Sequence, residues 1–104
     1  METIEIKTKA HKSGLRVWIE GDRVKGAGFK YHRKYSTSYL DGSIVLELDS
    51  DGKRKVSGRK RAGDSEWCPI IDLCGAKVSE ALGNAERVSV TYNANAGRIT
   101  IKSV

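Results

Sequence analysis

The feature that most constrains this chain is a plan it states twice. Val17 to Phe29 (VWIEGDRVKGAGF) lies over the stretch that begins at Ile71 (IIDLCGAKVSEALG) at one constant offset. Ile19 then meets Leu73, Gly21 meets Gly75, Val24 meets Val78, Ala27 meets Ala81 and, at that same offset, Arg33 meets Arg87. Gly42-Ser43-Ile44 meets Gly97-Arg98-Ile99 after a shift of one residue. A strand, a glycine, a helix face and a hairpin kept in step over this length point to an internal duplication. The halves are 1–50 and 51–104. Each is too small to bury much apolar surface alone, so the expectation is one compact domain, 1–104, in which each copy completes the other.

Within each copy the periodicity predicts two strands, a short helix and two more strands. Thr3 to Lys9 alternates Ile4 and Ile6 against Glu5, Lys7 and Lys9, and Leu15 to Glu20 resumes the alternation after a polar HKSG loop. Asp22 is expected to cap a helix that Gly26 and Gly28 keep short. Lys34 to Leu40 and Ser43 to Leu48 flank Asp41-Gly42, the strongest hairpin signal in the chain. In the second copy, Trp67 to Leu73 reads as a strand buried on both faces. Ala76 to Leu82 reads as a helix stopped by Gly83-Asn84, and Arg87 to Asn93 with Arg98 to Lys102 as the closing hairpin.

Composition narrows the function classes. No apolar run approaches the roughly 20 residues of a membrane span, and METIEIKTKA lacks the apolar block of a signal peptide, so a complete cytoplasmic protein without membrane contact is expected. Cys68 and Cys74 stand about 20 Å apart if they share a strand. That separation excludes a bridge between them and leaves buried free thiols. With His11 and His32 distant and no CxxC or HxxxH spacing, neither a metal nor any other cofactor is expected.

The formal charge is +6. Residues 1–50 carry nine bases against seven acids, 51–66 six against three and 67–104 four against three, so the middle segment holds half the net charge. Its centre is Gly52 to Arg61, GKRKVSGRKR. A run of like charge is commonly a solvated linker, and where it has a task, nucleic acid phosphates are the usual partner. The duplication recasts it as the opening strand of the second copy, equivalent to Thr3 to Lys9, with Lys53, Lys55 and Arg59 on one side. It is therefore expected to be ordered.

Each half resembles the swapped-hairpin domain of the AbrB, MazE and SymE superfamily: two strands, a helix of one or two turns and a tight hairpin. The first half, WIEGDRVKGAGFKYHRKYSTSYLDGSIVLEL, is similar to the SymE pattern of a strand ending in Gly, a helix ending in Ala-Gly-Phe, a strand and a Gly-led final strand. The second half has Leu82-Gly83 where the first has Gly28-Phe29. The resemblance implies a mostly β fold with two short helices, in which tandem ββαββ repeats build an AbrB-like swapped-hairpin pseudo-dimer barrel. The chain would then act as a monomer that is its own pseudo-dimer, or as a homodimer.

In AbrB-like proteins the first strands and first hairpin loops of two copies face DNA. Carried onto this chain, that surface is Lys7, Lys9, Lys12 and Arg16 from the first copy and Lys53, Arg54, Lys55, Arg59, Lys60 and Arg61 from the second. Lysines there would hold phosphates, and Arg16, Arg54, Arg59 and Arg61 could also contact guanine edges. The expectation is a DNA-binding regulator of transcription that prefers duplex DNA to RNA. Trp18 and Trp67 precede the two helices and could stack on bases, although packing under a loop is the commoner fate. Tyr31 to Lys34 reads as a loop. The alternatives are an antitoxin-like or phage-encoded inhibitor module that docks an acidic protein, and a SymE-like RNA-cleaving toxin. In the latter, His11 or His32 would be the general base; no catalytic motif supports an enzyme.

Overall fold

Alternating apolar residues put one face of each strand inward. The computed structural model, which describes residues 1–104, forms ten strands and two helices from that pattern. They are β1 (Glu2–Lys7), β2 (Lys9–His11), β3 (Gly14–Glu20), α1 (Asp22–Gly26), β4 (Lys34–Leu40) and β5 (Ser43–Leu48), then β6 (Arg54–Lys55), β7 (Ser57–Arg59), β8 (Cys68–Gly75), α2 (Ala76–Leu82), β9 (Arg87–Asn93) and β10 (Arg98–Ser103). Asp41-Gly42 makes the expected two-residue turn, with Leu40 opposite Ser43 and Gly42 at φ +85°. Gly83 ends α2 at φ +68°, and its N–H donates to Ser79 O at 2.7 Å.

Three expectations need correction. Asp22 does not cap α1: Gly21 holds that position without a side-chain bond, and Asp22 is the first helical residue, where its charge favours the helix N-terminus. Cys68 and Cys74 are free but half-buried, because Ile71 and Leu73 take the inner face of β8. Neither opening segment is one strand. Thr3 to Lys9 breaks at Thr8, whose N–H donates to Glu86 O at 3.0 Å and whose hydroxyl donates to Ala85 O at 2.6 Å. Gly52 to Arg61 breaks at Val56, which is 1% exposed. His32 N–H donates to Val56 O at 3.0 Å and Val56 N–H to Arg33 O at 2.9 Å, so this residue bonds a loop rather than a strand ladder. Lys55 and Arg59 therefore lie in different sheets and do not share a side.

The larger sheet has the order β1-β9-β10-β5-β4-β6 and the smaller β2-β3-β8-β7; every pairing is antiparallel. Each order is symmetric about its central pair, with elements of residues 1–50 mirrored by elements of 51–104. β1 pairs β9, and β6 pairs β4, so each opening strand is hydrogen-bonded to the hairpin of the other half. The inner faces of both sheets and of both helices close on one core of 19 buried residues, including Val17, Phe29, Ile44, Leu46, Ile71, Leu73, Val78, Val88 and Ile101. No helix is long and apolar enough to cross a membrane.

Candidate nucleic-acid interface

The small sheet turns its inner face to the core through Val17, Ile19, Ile71 and Leu73, which leaves the alternate residues outside. On β3 these are Arg16, Trp18 and Glu20, and on β8 they include Asp72. Lys9 stands directly opposite Arg16, and the bend at Thr8 brings Lys7 beside them. Lys7, Lys9, Arg16, Trp18 and Glu20 line one depression of about 430 Å³. The Arg16 guanidinium lies 4.9 Å from the centre of the Trp18 ring, and Trp18 keeps 37% of its surface exposed rather than packing beneath a loop.

Two acids interrupt the positive charge. Arg16 holds Asp72 with both ends of its fork, Nε to Oδ1 at 2.9 Å and Nη2 to Oδ2 at 3.0 Å. Arg59, on the edge strand β7, reaches Glu20 at 3.0 Å. The outer face of the small sheet thus alternates in sign across its middle. Both pairs are partly exposed, so their partners can exchange at small cost. Sequence reasoning named the arginines but missed the acids, because Asp72 and Glu20 meet them only through the β3–β8 and β7–β8 ladders.

The remaining predicted residues are divided. Lys12 sits exposed in the turn between β2 and β3, and Lys60 and Arg61 lie exposed beyond β7, where Arg61 N–H donates to Asp64 Oδ2 at 3.0 Å. Lys53 and Lys55 are exposed and Arg54 half-buried at the edge of the large sheet, with Lys55 directly opposite Lys34. Lys7 likewise faces Arg87. Like charges opposed across a ladder are unfavourable in themselves and deter further strands from joining the edge.

The stretch Tyr31 to Lys34, expected to be a loop, carries a second aromatic cluster. Tyr31 stacks on Trp67 with centroids 4.5 Å apart at 9°, and on His32 at 3.9 Å and 29°. Lys25 and Glu66 form an ion pair beside it; the hydrogen bond raises the Lys25 pKa and lowers that of Glu66, keeping the carboxylate ionised. The available signal was the adjacency of Glu66 and Trp67.

The His11 Nδ1 bonds Ser13 Oγ at 3.0 Å, whose oxygen also lies 3.3 Å from Cys74 Sγ, and His32 is stacked at φ +73°. No three His, Cys, Asp or Glu side chains gather where they could hold a metal ion. Compared with protein-family models, with curated proteins and with solved structures, the chain matches none.

Proposed function

We propose that the chain is a duplicated AbrB-like swapped-hairpin module, a pseudo-dimer within one polypeptide, that binds duplex DNA as a regulator in the cytoplasm. The convergence of Lys7, Lys9 and Arg16 around Trp18 in one depression carries the reading. Support for the fold part comes from strand orders symmetric about β10–β5 and β3–β8, and from the exchange of opening strands between halves.

The small sheet has the dimensions for the task. Its outer strands β2 and β7 are three strand steps apart, about 14 Å at the usual spacing. That is comparable to the roughly 12 Å width of the DNA major groove. Lys7, Lys9 and Lys12 would follow one phosphate strand and Lys60 and Arg61 the other. Arg16 and Arg59, already engaged by Asp72 and Glu20, must exchange partners before they contact a base. Phosphates therefore supply most of the affinity, with weak sequence preference.

The test is retardation of a random duplex in a gel at rising salt. With about five phosphate contacts, affinity should fall roughly 500-fold between about 50 and 200 mM salt. Neutralising Lys7, Lys9 and Lys60 should abolish the shift, whereas neutralising Lys102 should leave it. No retardation at the lowest salt would refute the reading.

The acidic pair Asp72 and Glu20 favours a second reading, in which the same face docks a protein whose charges alternate to match. Retention of one protein from nuclease-treated host lysate, without any duplex shift, would support it. The RNA-cleaving reading has the least support, since neither imidazole bonds a carboxylate; RNA left intact by the purified protein would dismiss it.

A further inference from the structure

The stack at Trp67 is built before any ligand arrives. Tyr31 covers one face of the indole, and His32 lies against Tyr31. Gly58 lies so close beneath Tyr31 that a Cβ there would stand 2.6 Å from its Cδ1, so the phenol ring packs directly on the edge strand of the small sheet. Trp67 nevertheless remains 44% exposed, so its uncovered face borders solvent. Beside it opens a cavity of about 300 Å³ lined by Lys25, Lys30, Tyr31, Glu66, Trp67 and Pro69. A rigid stack with one face open accepts another flat aromatic ring, and every nucleobase supplies one.

The cavity's polar groups present a carboxylate and an ammonium side by side. Glu66 is ionised and only accepts hydrogen bonds, while Lys25 only donates. Their contact takes one lone pair of Glu66 Oε2, which leaves Oε1, the second lone pair of Oε2 and two ammonium hydrogens for a ligand. A carboxylate beside an ammonium matches an edge with two adjacent donors followed by an acceptor. Guanine has that order: N1–H and N2–H donate, and O6 accepts. Adenine would turn its N1 lone pair toward the carboxylate, and the pyrimidines lack the paired donors.

We propose that this cavity binds an unpaired guanine base, stacked on Trp67, read by Glu66 and Lys25, with its phosphate toward Lys30. In a duplex that edge is occupied by cytosine, so the ligand is a free guanine nucleotide or a single-stranded segment. The site lies apart from the basic depression at Trp18 and does not rest on duplex binding.

Proton–nitrogen correlation NMR of the whole protein gives the test, because the chain has two indole signals, from Trp18 and Trp67. Guanosine monophosphate should move the Trp67 indole and the Lys25 and Glu66 amides to saturation while the Trp18 indole stays. Adenosine monophosphate should bind at least about tenfold more weakly. Glu66→Gln, at an exposed position, should keep the spectrum elsewhere and lower guanosine monophosphate affinity about tenfold, or ~1.4 kcal/mol. A thymidine hexamer with one central guanine separates the sources: tighter binding than the nucleotide identifies a strand, equal binding a free nucleotide. Equal responses to guanine and adenine nucleotides, no response at Trp67, or an unaffected Glu66→Gln variant would overturn the site. No duplex enters this titration, so a failed gel shift leaves its result standing.

Discussion

Gly52 and Gly26 make opposite demands on a side chain. A Cβ at Gly52 would stand 2.4 Å from Tyr35 O, 2.5 Å from its C and 2.9 Å from its N, whereas at Gly26 nothing lies within 4 Å. Gly52→Ala should therefore destabilise by about 2 kcal/mol or more, since the obstacle is backbone that cannot turn aside. Gly26→Ala, at the end of α1, should instead stabilise by about 0.5 kcal/mol through helix propensity and a less free unfolded chain. Urea denaturation of both variants checks the contrast in sign. At the same scale, Asp72→Asn and Glu20→Gln release Arg16 and Arg59 and remove two negative charges from the small sheet. If that face holds duplex DNA, the double variant should bind more tightly, with a salt slope steeper by about 2, one for each guanidinium freed to reach a phosphate. An unchanged slope measured by fluorescence anisotropy would mean that these arginines never meet DNA. The basic residues were legible in the sequence, but their engagement was not, because alternation fixes which face a residue takes and says nothing about which strand lies beside it.

Among the elements, β4, β5, β9 and α2 take the bounds that periodicity predicts, because their limits are set by local turns and by Gly83. The breaks at Thr8 and Val56 were not readable, since each is made by hydrogen bonds to a loop distant in sequence. Val56 anchors the junction between β6 and β7, and Val56→Ala should cost about 2 kcal/mol from lost burial and a small cavity. Hydrogen exchange should then speed up together at His32 and Val56, whose amides close the two halves of that junction. The strands also carry a pH response. Burial raises the phenol pKa of Tyr35 on β4 and of Tyr92 on β9 above the ordinary 10.0, with the charges of Arg54 and Arg23 respectively opposing it. The unfolded chain thus releases these protons first, so their contribution is complete below about pH 10 and is lost as pH rises beyond it. Melting temperatures measured above pH 10 should fall less steeply in the Tyr35→Phe, Tyr92→Phe double variant than in the parent.

For the molecule as a whole, the mostly β architecture with two short helices followed from the pattern of alternation, and the order of strands did not. Periodicity identifies strands, but their neighbours are chosen by long-range closure, and here β1 pairs with β9 and β3 with β8. Neither 1–50 nor 51–104 contains both partners of the β10–β5 or β3–β8 pairs that centre the sheets. Each fragment should lack a stable sheet by circular dichroism at micromolar concentration, and mixing them in equal amounts should restore the spectrum of the intact chain. A fragment that folds fully alone would show that its half has its own core.

Glu2 faces Tyr92 across the β1–β9 ladder. On a ribosome adding about 5–20 residues each second, β1 emerges roughly 4–17 s before the strand that must receive it. Through that interval Ile4 and Ile6 have no partner, so Glu5 and Lys7 stand as the nearest guards against pairing with a neighbouring nascent chain. β1 therefore waits, unpaired, for the roughly 80 residues between it and β9 to be made.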